Sequence, residues 1–427
     1  MLRHTASKFE EFMTVLNRIA VFKTSGSRDP FWIRATTARE APMPVPDMQH
    51  SAYPRYGWHS GHLRVLEALY SAGRPSRTEL ARATGLSVQS LTRITAELIA
   101  SGHVAEASRR IGQRGQPAIE LALRPSRLVS LGLVLEHDRI TCVAKDLADA
   151  TMTRWEESGD FLSAEATARA AERLVEQALA TLPAGAERLG LGIAQSGFFF
   201  LAGEQRIVSR NDVAGWAGLD LAGRLGDRFG LDVIIENDGS AAAVGHTIHG
   251  IGTTYHSFFL VLLTRGVGGG VISERRLLRG RLGNAGELAV LMPVDPGEIR
   301  PTTESLRRWL ADAWGHEPDP AAIEAALDAG DPTLRRWLDQ AAETLGKALN
   351  GVTALLDPEA IILAGRLSPR LRGALAARLQ MVSPRIDGIV APSPAILVDP
   401  ESDCLEFGAA ALPIARFFSP EAPRQAG

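Results

Sequence analysis

Asn237 and Asp238 stand where an apolar, β-branched run (Val233, Ile234, Ile235) gives way to the small residues of 239–245. An amide donates and accepts hydrogen bonds and a carboxylate accepts them, so the pair could grip a polar ligand. A strand emptying into a helix N-terminus is where open α/β sheets place their ligand sites. Aspartate is also a preferred N-cap. Residue 238 therefore either caps the helix or faces a ligand, and this stretch alone leaves both open.

A second group implies different chemistry. Gln89, Ser90, Thr92 and Arg93 fall on or beside the polar face near the start of an expected helix. They offer amide, hydroxyl and guanidinium groups to base edges in a major groove. Ser87 and Arg77 lie at the starts of this helix and the one before it. Arg109, Arg110 and Arg114 are placed to meet phosphates or a minor groove. Residues 59–124 hold nine arginines and five glutamates, with no lysine or aspartate, a balance of +4. The whole chain carries −3, so the remainder carries −7. A basic module on an acidic body is the footprint of a protein that binds duplex DNA.

The elements that must position these residues follow from spacing. Leu63, Leu66 and Leu69 mark a first helix. Ser76-Arg77-Thr78-Glu79 is a capping box opening a second, which runs through Ala83. Thr84-Gly85-Leu86 makes the turn. Val88, Leu91, Ile94 (or Thr95) and Leu98 then recur as the apolar face of a third helix, which Gly102 ends. Segments 103–107 and 117–123 pair as a hairpin around an Arg-rich loop. That order is a winged helix-turn-helix.

From residue 125 the pattern changes. Three short strands (129–135, 140–145, 151–156) precede a long helix at 164–182 and a strand at 189–194. The second half again opens with strands (257–264, 269–273). Helices follow (305–314, 320–329, 333–356), then a buried strand at 360–364, a helix, a strand near 396–398 and a helix at 407–417. Two halves that each begin with a meander and pass into β/α alternation imply a duplicated α/β unit with a cleft between lobes. His246 and His249 are three apart without a third partner and are expected on the helix surface rather than on a metal. Trp216 is expected in the core.

Residues 1–58 read as an extension, with one short amphipathic helix at 8–22 and a Pro-rich linker at 41–46; residues 418–427 read as a tail. Cys142 and Cys404 are the two cysteines among 427 residues, which makes no disulfide framework or Cys-rich zinc site and fits a reducing cytoplasm. No apolar run reaches the roughly 18 residues of a membrane span.

The motifs GIAQSG (192–197), NDVAGWAGLDL (211–221), ENDGSAAAVG (236–245), TRGVGGG (264–270), GRLGNAGE (280–287) and LDPEAIILAG (356–365), set behind a winged helix, resemble the ROK family of bacterial sugar kinases and sugar-responsive repressors. The resemblance covers roughly residues 59–415. It implies, for 125–417, a duplicated two-lobed actin/hexokinase-like (ribonuclease H-like) α/β domain behind the winged helix-turn-helix of 59–124. In the family's kinases the Asp of the END motif is the catalytic base, and the Asn before it and the Glu of AGE contact sugar hydroxyls. These roles map onto Asp238, Asn237 and Glu287. Asn211 resembles a further sugar contact, and Glu304 falls where the family's last sugar-binding Glu would lie.

The departures decide the expected function. The family's first phosphate loop, Asp-x-Gly-Gly-Thr, reads Val134-Leu135-Glu136-His137 here, without the glycines and with an acid that repels phosphate. The second keeps Gly266, Gly268, Gly269 and Gly270, and such a run serves either phosphate or sharp strand turns. The family's zinc His is Val290, and residues 292–305 contain no Cys or His, so no zinc site is expected and that segment must be held by packing. Arg265 could attract a sugar phosphate or be a solvated loop residue. The chain is therefore expected to be a cytoplasmic transcriptional regulator, a repressor, without cofactor, metal or enzymatic activity. Its expected partners are an inverted-repeat DNA operator, a sugar or sugar-phosphate effector and copies of itself in a homodimer or homotetramer. Alternatives are a DNA-binding scaffold that has lost its ligand and an ATP-dependent sugar kinase.

Overall fold

In a computed structural model the structure describes residues 58–110, 118–202, 205–209, 215–292, 299–383 and 385–418. The helix expected at 8–22 and the linker at 41–46 lie outside them.

The head is built from α1 (Ser60–Ala72), α2 (Arg77–Thr84) and α3 (Val88–Ala100), then the antiparallel pair β1 (Val104–Arg110) and β2 (Ala118–Leu123). Its helix starts are fixed locally. Ser76 and Glu79 form the reciprocal capping box, and Ser87 caps α3 by accepting from the Ser90 amide. Gly85 turns the chain in the left-handed region at φ 65°. Leu63, Leu66, Leu69, Leu80, Leu91, Ile94 and Leu98 close the core. Val88 does not join them: it is 75% exposed, and the buried face of α3 begins at Leu91.

The body contains two five-stranded sheets of the same topology. In the first, β3 (Leu128–Leu135), β4 (Arg139–Asp146) and β5 (Thr151–Ser158) form a meander; β6 (Glu187–Gln195) and β9 (Val233–Asn237) then add in parallel, giving the order β5-β4-β3-β6-β9. Helices α4 (Ala164–Ala180) and α5 (Leu221–Phe229) supply the crossovers. A hairpin of β7 (Phe198–Ala202) and β8 (Gln205–Ser209) interrupts the second, and α6 (Asp238–Ile248) leaves β9.

The second sheet repeats the pattern. β10 (Phe258–Leu263), β11 (Val267–Ser273) and β12 (Arg276–Leu277) form the meander. Helices α7 (Thr303–Trp314), α8 (Pro320–Ala329) and α9 (Pro332–Leu356) lead to β13 (Ala360–Gly365). Then α10 (Pro369–Ala376) and the small hairpin β14 (Arg385–Ile386)–β15 (Ile389–Val390) lead to β16 (Ala395–Val398), for the order β12-β11-β10-β13-β16. The final helix, α11 (Cys404–Phe418), mirrors α6. The duplication expected from the sequence is present.

Each sheet's last helix crosses to the other half. α6 leaves the first sheet and packs on β10 and β11, while α11 leaves the second and packs on β3, β4 and β6. The two helices pack on each other through small residues: a Cβ on Gly408 would sit 2.7 Å from the Ala241 carbonyl oxygen. The core between the sheets therefore holds Val134, Ala194, Ala241, Ala242, Leu260, Ile362, Ala409 and Leu412. The end of α11 carries Ile414 and Phe417 into the core of the head, where Trp58 stacks edge-on against Phe417 and His103.

Candidate functional site

The strand–helix junction expected at Asn237 forms, with one change of role. The cap of α6 is Asn237, whose Oδ1 accepts from the amides of Gly239 (2.9 Å) and Ser240 (3.4 Å). Asp238 is the first helical residue, and its Oδ1 accepts from the Gly239 amide at 2.8 Å. Capping is done by its neighbour, and Asp238 stands at the lip of the sheet as the first residue of α6.

The other amide edge of Asn237 ties in the second half of the chain. Its Nδ2 donates at 3.4 Å to the Gly197 carbonyl and at 3.4 Å to Glu287 Oε1. Asn237, Asp238 and Glu287 are thus one cluster, made by residues 50 apart. Burial, followed by the nearby Asp238 carboxylate, pushes the Glu287 carboxyl up to about 7. A half-buried carboxyl beside a like charge is poised to meet a hydrogen-bond donor.

Contacts that the sequence reading missed hold the loop of 279–287 in place. Arg279 Nε donates to the fully buried Glu236 Oε1 at 2.5 Å. Asn284 exchanges two hydrogen bonds with the backbone of Phe199, at 2.7 and 2.8 Å. A signal existed: strand alternation points Glu236 away from Asn237 and into the body, and a buried carboxylate requires a cation. The glycine run is settled in part by packing. A Cβ on Gly269 would fall 2.7 Å from the Gly286 carbonyl oxygen, and one on Gly239 would fall 2.4 Å from that of Gly269. Gly269 serves close backbone approach. Arg265 is exposed.

Glu304 lies in the first turn of α7, its carboxylate held by Arg308 at 3.0 Å and Arg307 at 3.3 Å. Burial raises its pKa, but Arg307, Arg308 and Arg265 outweigh this and keep the carboxyl below its ordinary value. Trp216 is 4% exposed, in the core of the first lobe as expected. Asn211 lies outside the described residues.

Where the sequence places the altered phosphate loop, Val134 is core and Glu136 is in an ion cluster. Arg366, just past β13, donates to Glu136 at 2.6 and 3.0 Å and to Glu406 at 3.0 Å. Arg139 adds a contact to Glu136 at 3.2 Å. The cluster bridges the two halves and places a carboxylate, an acceptor only, at residue 136. Val290, at the position of the family's zinc His, is 70% exposed, and the described residues contain no group of three His, Cys, Asp or Glu able to hold a metal. Zinc therefore does not fit the residues described there. The described part of 292–305 is held by more than packing: Arg300 donates to the carbonyls of Ala289 and Met292.

Two histidines are not where expected. His246 is 1% exposed, with Asp399 Oδ2 at 3.5 Å, and the His249 ring meets the Tyr70 hydroxyl of α1 at 2.9 Å. His246 is buried because residues 239–246 of α6 lie between the halves, while His249, the C-cap of α6, is partly buried. Burial lowers the pKa of His249. Cys142 and Cys404 are buried free thiols, and burial pushes Cys142 up to about 12.

On α3, Gln89 and Thr92 are exposed. Ser87 Oγ donates to Ser90 Oγ at 2.9 Å, Thr92 Oγ1 donates to the Val88 carbonyl at 2.7 Å, and Arg93 pairs with Glu97 at 2.7 Å. Arg77 on α2 pairs with Glu106 at 3.2 Å. The backbones of Arg109 and Arg110 lie in β1, which bulges between Glu106 and Arg109. Arg114 lies outside the described residues. Among these residues no helix is long and apolar enough to cross a membrane.

Comparison with known proteins places these features. Residues 149–383 match the model of the ROK family and residues 57–112 that of the MarR family. The uncharacterised protein y4fQ of Sinorhizobium fredii is 28% identical over 306 residues, 71% of this chain and 77% of y4fQ. The xylose repressor of Bacillus spizizenii is 24% identical over 214 residues, 50% of this chain and 55% of the repressor. Of other curated relatives, glucokinases and a bifunctional NanE/NanK enzyme among them, the chain spans 33% to 62% of the length. A solved ROK-family transcriptional regulator, a homologue of the E. coli MLC protein, shares the fold: TM-score 0.63 at 21% identity, over 84% of this chain and 96% of that one.

Proposed function

The chain belongs to the ROK family, and on that footing we propose that it is a transcriptional regulator, a repressor, whose winged helix binds an operator under control of a sugar or sugar derivative. The observation that carries this reading is the joining of a MarR-type winged helix to a ROK body that pairs Asn237, Asp238 and Glu287 while Glu136 is tied to Arg366. Sugar hydroxyls donate to the carboxylates of Asp238 and Glu287, and such charge-assisted bonds are roughly twice as strong as neutral ones. Asn237 orients them, and Asn211 and Glu304 complete the ligand shell. Asp238 then acts as an acceptor, not as a base.

Kinase activity is disfavoured because phosphoryl transfer rests on holding and neutralising phosphates. The Glu136 position offers a carboxylate instead. The head, residues 59–124, reads a duplex through α3, with Arg77, Arg109, Arg110 and Arg114 on phosphates. A homodimer or homotetramer of residues 125–417 would set two heads on an inverted repeat, with half-sites about 10 bp apart or a multiple of that.

The test is fluorescence anisotropy on duplexes selected from a randomised pool, with and without a panel of monosaccharides and their phosphates. One sugar is expected to shift DNA affinity, and Asp238→Ala to abolish the shift without changing sugar-free DNA binding. ATP-dependent turnover of any hexose above background in a coupled assay would overturn the non-enzymatic reading. Sugar responses that survive Asp238→Ala and Glu287→Ala would overturn the site.

A further inference from the structure

We infer that α3 reads thymine through methyl groups, with Val88 and Thr92 forming a short apolar ridge on its DNA-facing edge. The inference deepens the regulator reading and rests on α3 entering a major groove.

Val88 is the first residue of α3. Its side chain is 75% exposed on the first turn, while Leu91, Ile94 and Leu98 supply the helix's core contacts. A β-branched residue is a poor helix former, and an exposed one contributes nothing to the core. Neither propensity nor packing asks for valine here. Thr92 follows one turn later, and residues four apart are neighbours on a helix surface. Its hydroxyl hydrogen is committed to the Val88 carbonyl at 2.7 Å. With that hydrogen committed, the exposed side chain donates nothing to a base edge, and its methyl is the apolar group it can place there, beside the acceptor lone pairs of the hydroxyl.

The polar groups nearby are mostly occupied. Ser87 Oγ takes the Ser90 amide at 3.2 Å and donates to Ser90 Oγ at 2.9 Å. Arg93 is held by Glu97 at 2.7 Å and lies 3.1 Å from His59 Nε2. Gln89 is exposed beside the ridge, and no hydrogen bond to its amide is made among the described residues. The apolar group that a major groove presents is the C5 methyl of thymine, and glutamine pairs its amide with adenine N6 and N7. Val88, Thr92 and Gln89 together fit a step of A·T pairs, with methyls against the ridge and an adenine edge against the amide.

The experiment uses the full chain. The tightest duplex from a randomised pool is resynthesised with each thymine in turn replaced by deoxyuridine, which removes only the methyl. Binding is expected to weaken about fourfold at one or two thymines per half-site, the effect of losing one buried methyl. Val88→Ala should bind the thymine and deoxyuridine duplexes equally at one of these positions. Thr92→Ser, which keeps the hydroxyl and drops the methyl, should do so at its own. Both side chains are exposed, and unchanged melting temperatures would confirm intact folds. Deoxyuridine duplexes that all bind within 1.5-fold of the parent, or a methyl dependence that survives in both variants, would overturn the inference alone. A pool that yields no enriched duplex overturns it together with the regulator reading.

Discussion

Replacing Glu287 with glutamine should stabilise the protein while removing its response to ligand. The folded structure pushes this carboxyl from the ordinary 4.5 up to about 7, first by burial and then by the Asp238 charge. A raised acid costs the folded state according to pH. Below 4.5 folded and unfolded chains are both protonated and nothing is lost. Between 4.5 and 7 the unfolded chain releases its proton while the folded one retains it, so stability falls as pH rises. Above 7 the whole penalty is present. At 1.36 kcal/mol per pKa unit a fully buried group would cost about 3.4 kcal/mol. Glu287 is only partly buried, so solvent screening reduces this to roughly 1–2 kcal/mol.

Glutamine keeps the side chain's shape and an oxygen able to accept from Asn237. The variant should melt with the parent at pH 5 and about 2–3 °C above it at pH 8, given the unfolding entropy of a body this size. The assay is calorimetry of ligand-free protein at pH 5, 6, 7 and 8, paired with sugar titration. At pH 8, where Glu287 is ionised in the fold, sugar binding should weaken at least tenfold, since a charge-assisted acceptor is gone. A variant that melts below the parent at pH 8, or whose offset is the same at pH 5 and pH 8, would refute the electrostatic reasoning.

Gly239→Ala should lower stability by about 1–3 kcal/mol, because its Cβ would meet the Gly269 carbonyl oxygen at 2.4 Å; denaturant melts check this, and a neutral result would show that α6 can slide on β11. Arg366→Leu leaves the carboxylates of Glu136 and Glu406 without their shared cation, at 16% and 3% side-chain exposure. It should cost about 3–5 kcal/mol, and Glu136→Gln in the same chain should recover part of that, a double-mutant cycle measured by chemical denaturation.

Much of the fold was legible because its signals are local. Ser76, Glu79 and Ser87 cap helices whose starts they also mark in sequence. The β-branched run before Asn237 announces β9 within five residues. The site was legible only where motifs carried it: Asn237 and Glu287 meet across 50 residues, and no periodicity joins them. Glu136 and Arg366 are 230 residues apart, and ion pairs at that range leave no pattern in composition. Val88 fits a helical repeat with Leu91, but the first turn of α3 lies beyond the core. His246 and His249 were expected on the helix surface because they are three apart with no third partner for a metal. Residues 239–246 are buried all round and leave His246 no such surface, and that inference requires knowing that this part of α6 is enclosed.

The reciprocal crossing of α6 and α11 makes the two lobes interdependent despite their duplicated topology. Cut between residues 254 and 258, the N-terminal fragment would hold α6 with no β10 or β11 beneath it, and the other fragment would hold α11 without β3 and β6. Neither half is expected to fold on its own when the two are expressed separately. The repeat is architectural and not a separable part, and the fold can be completed only once the last fifteen described residues have been made.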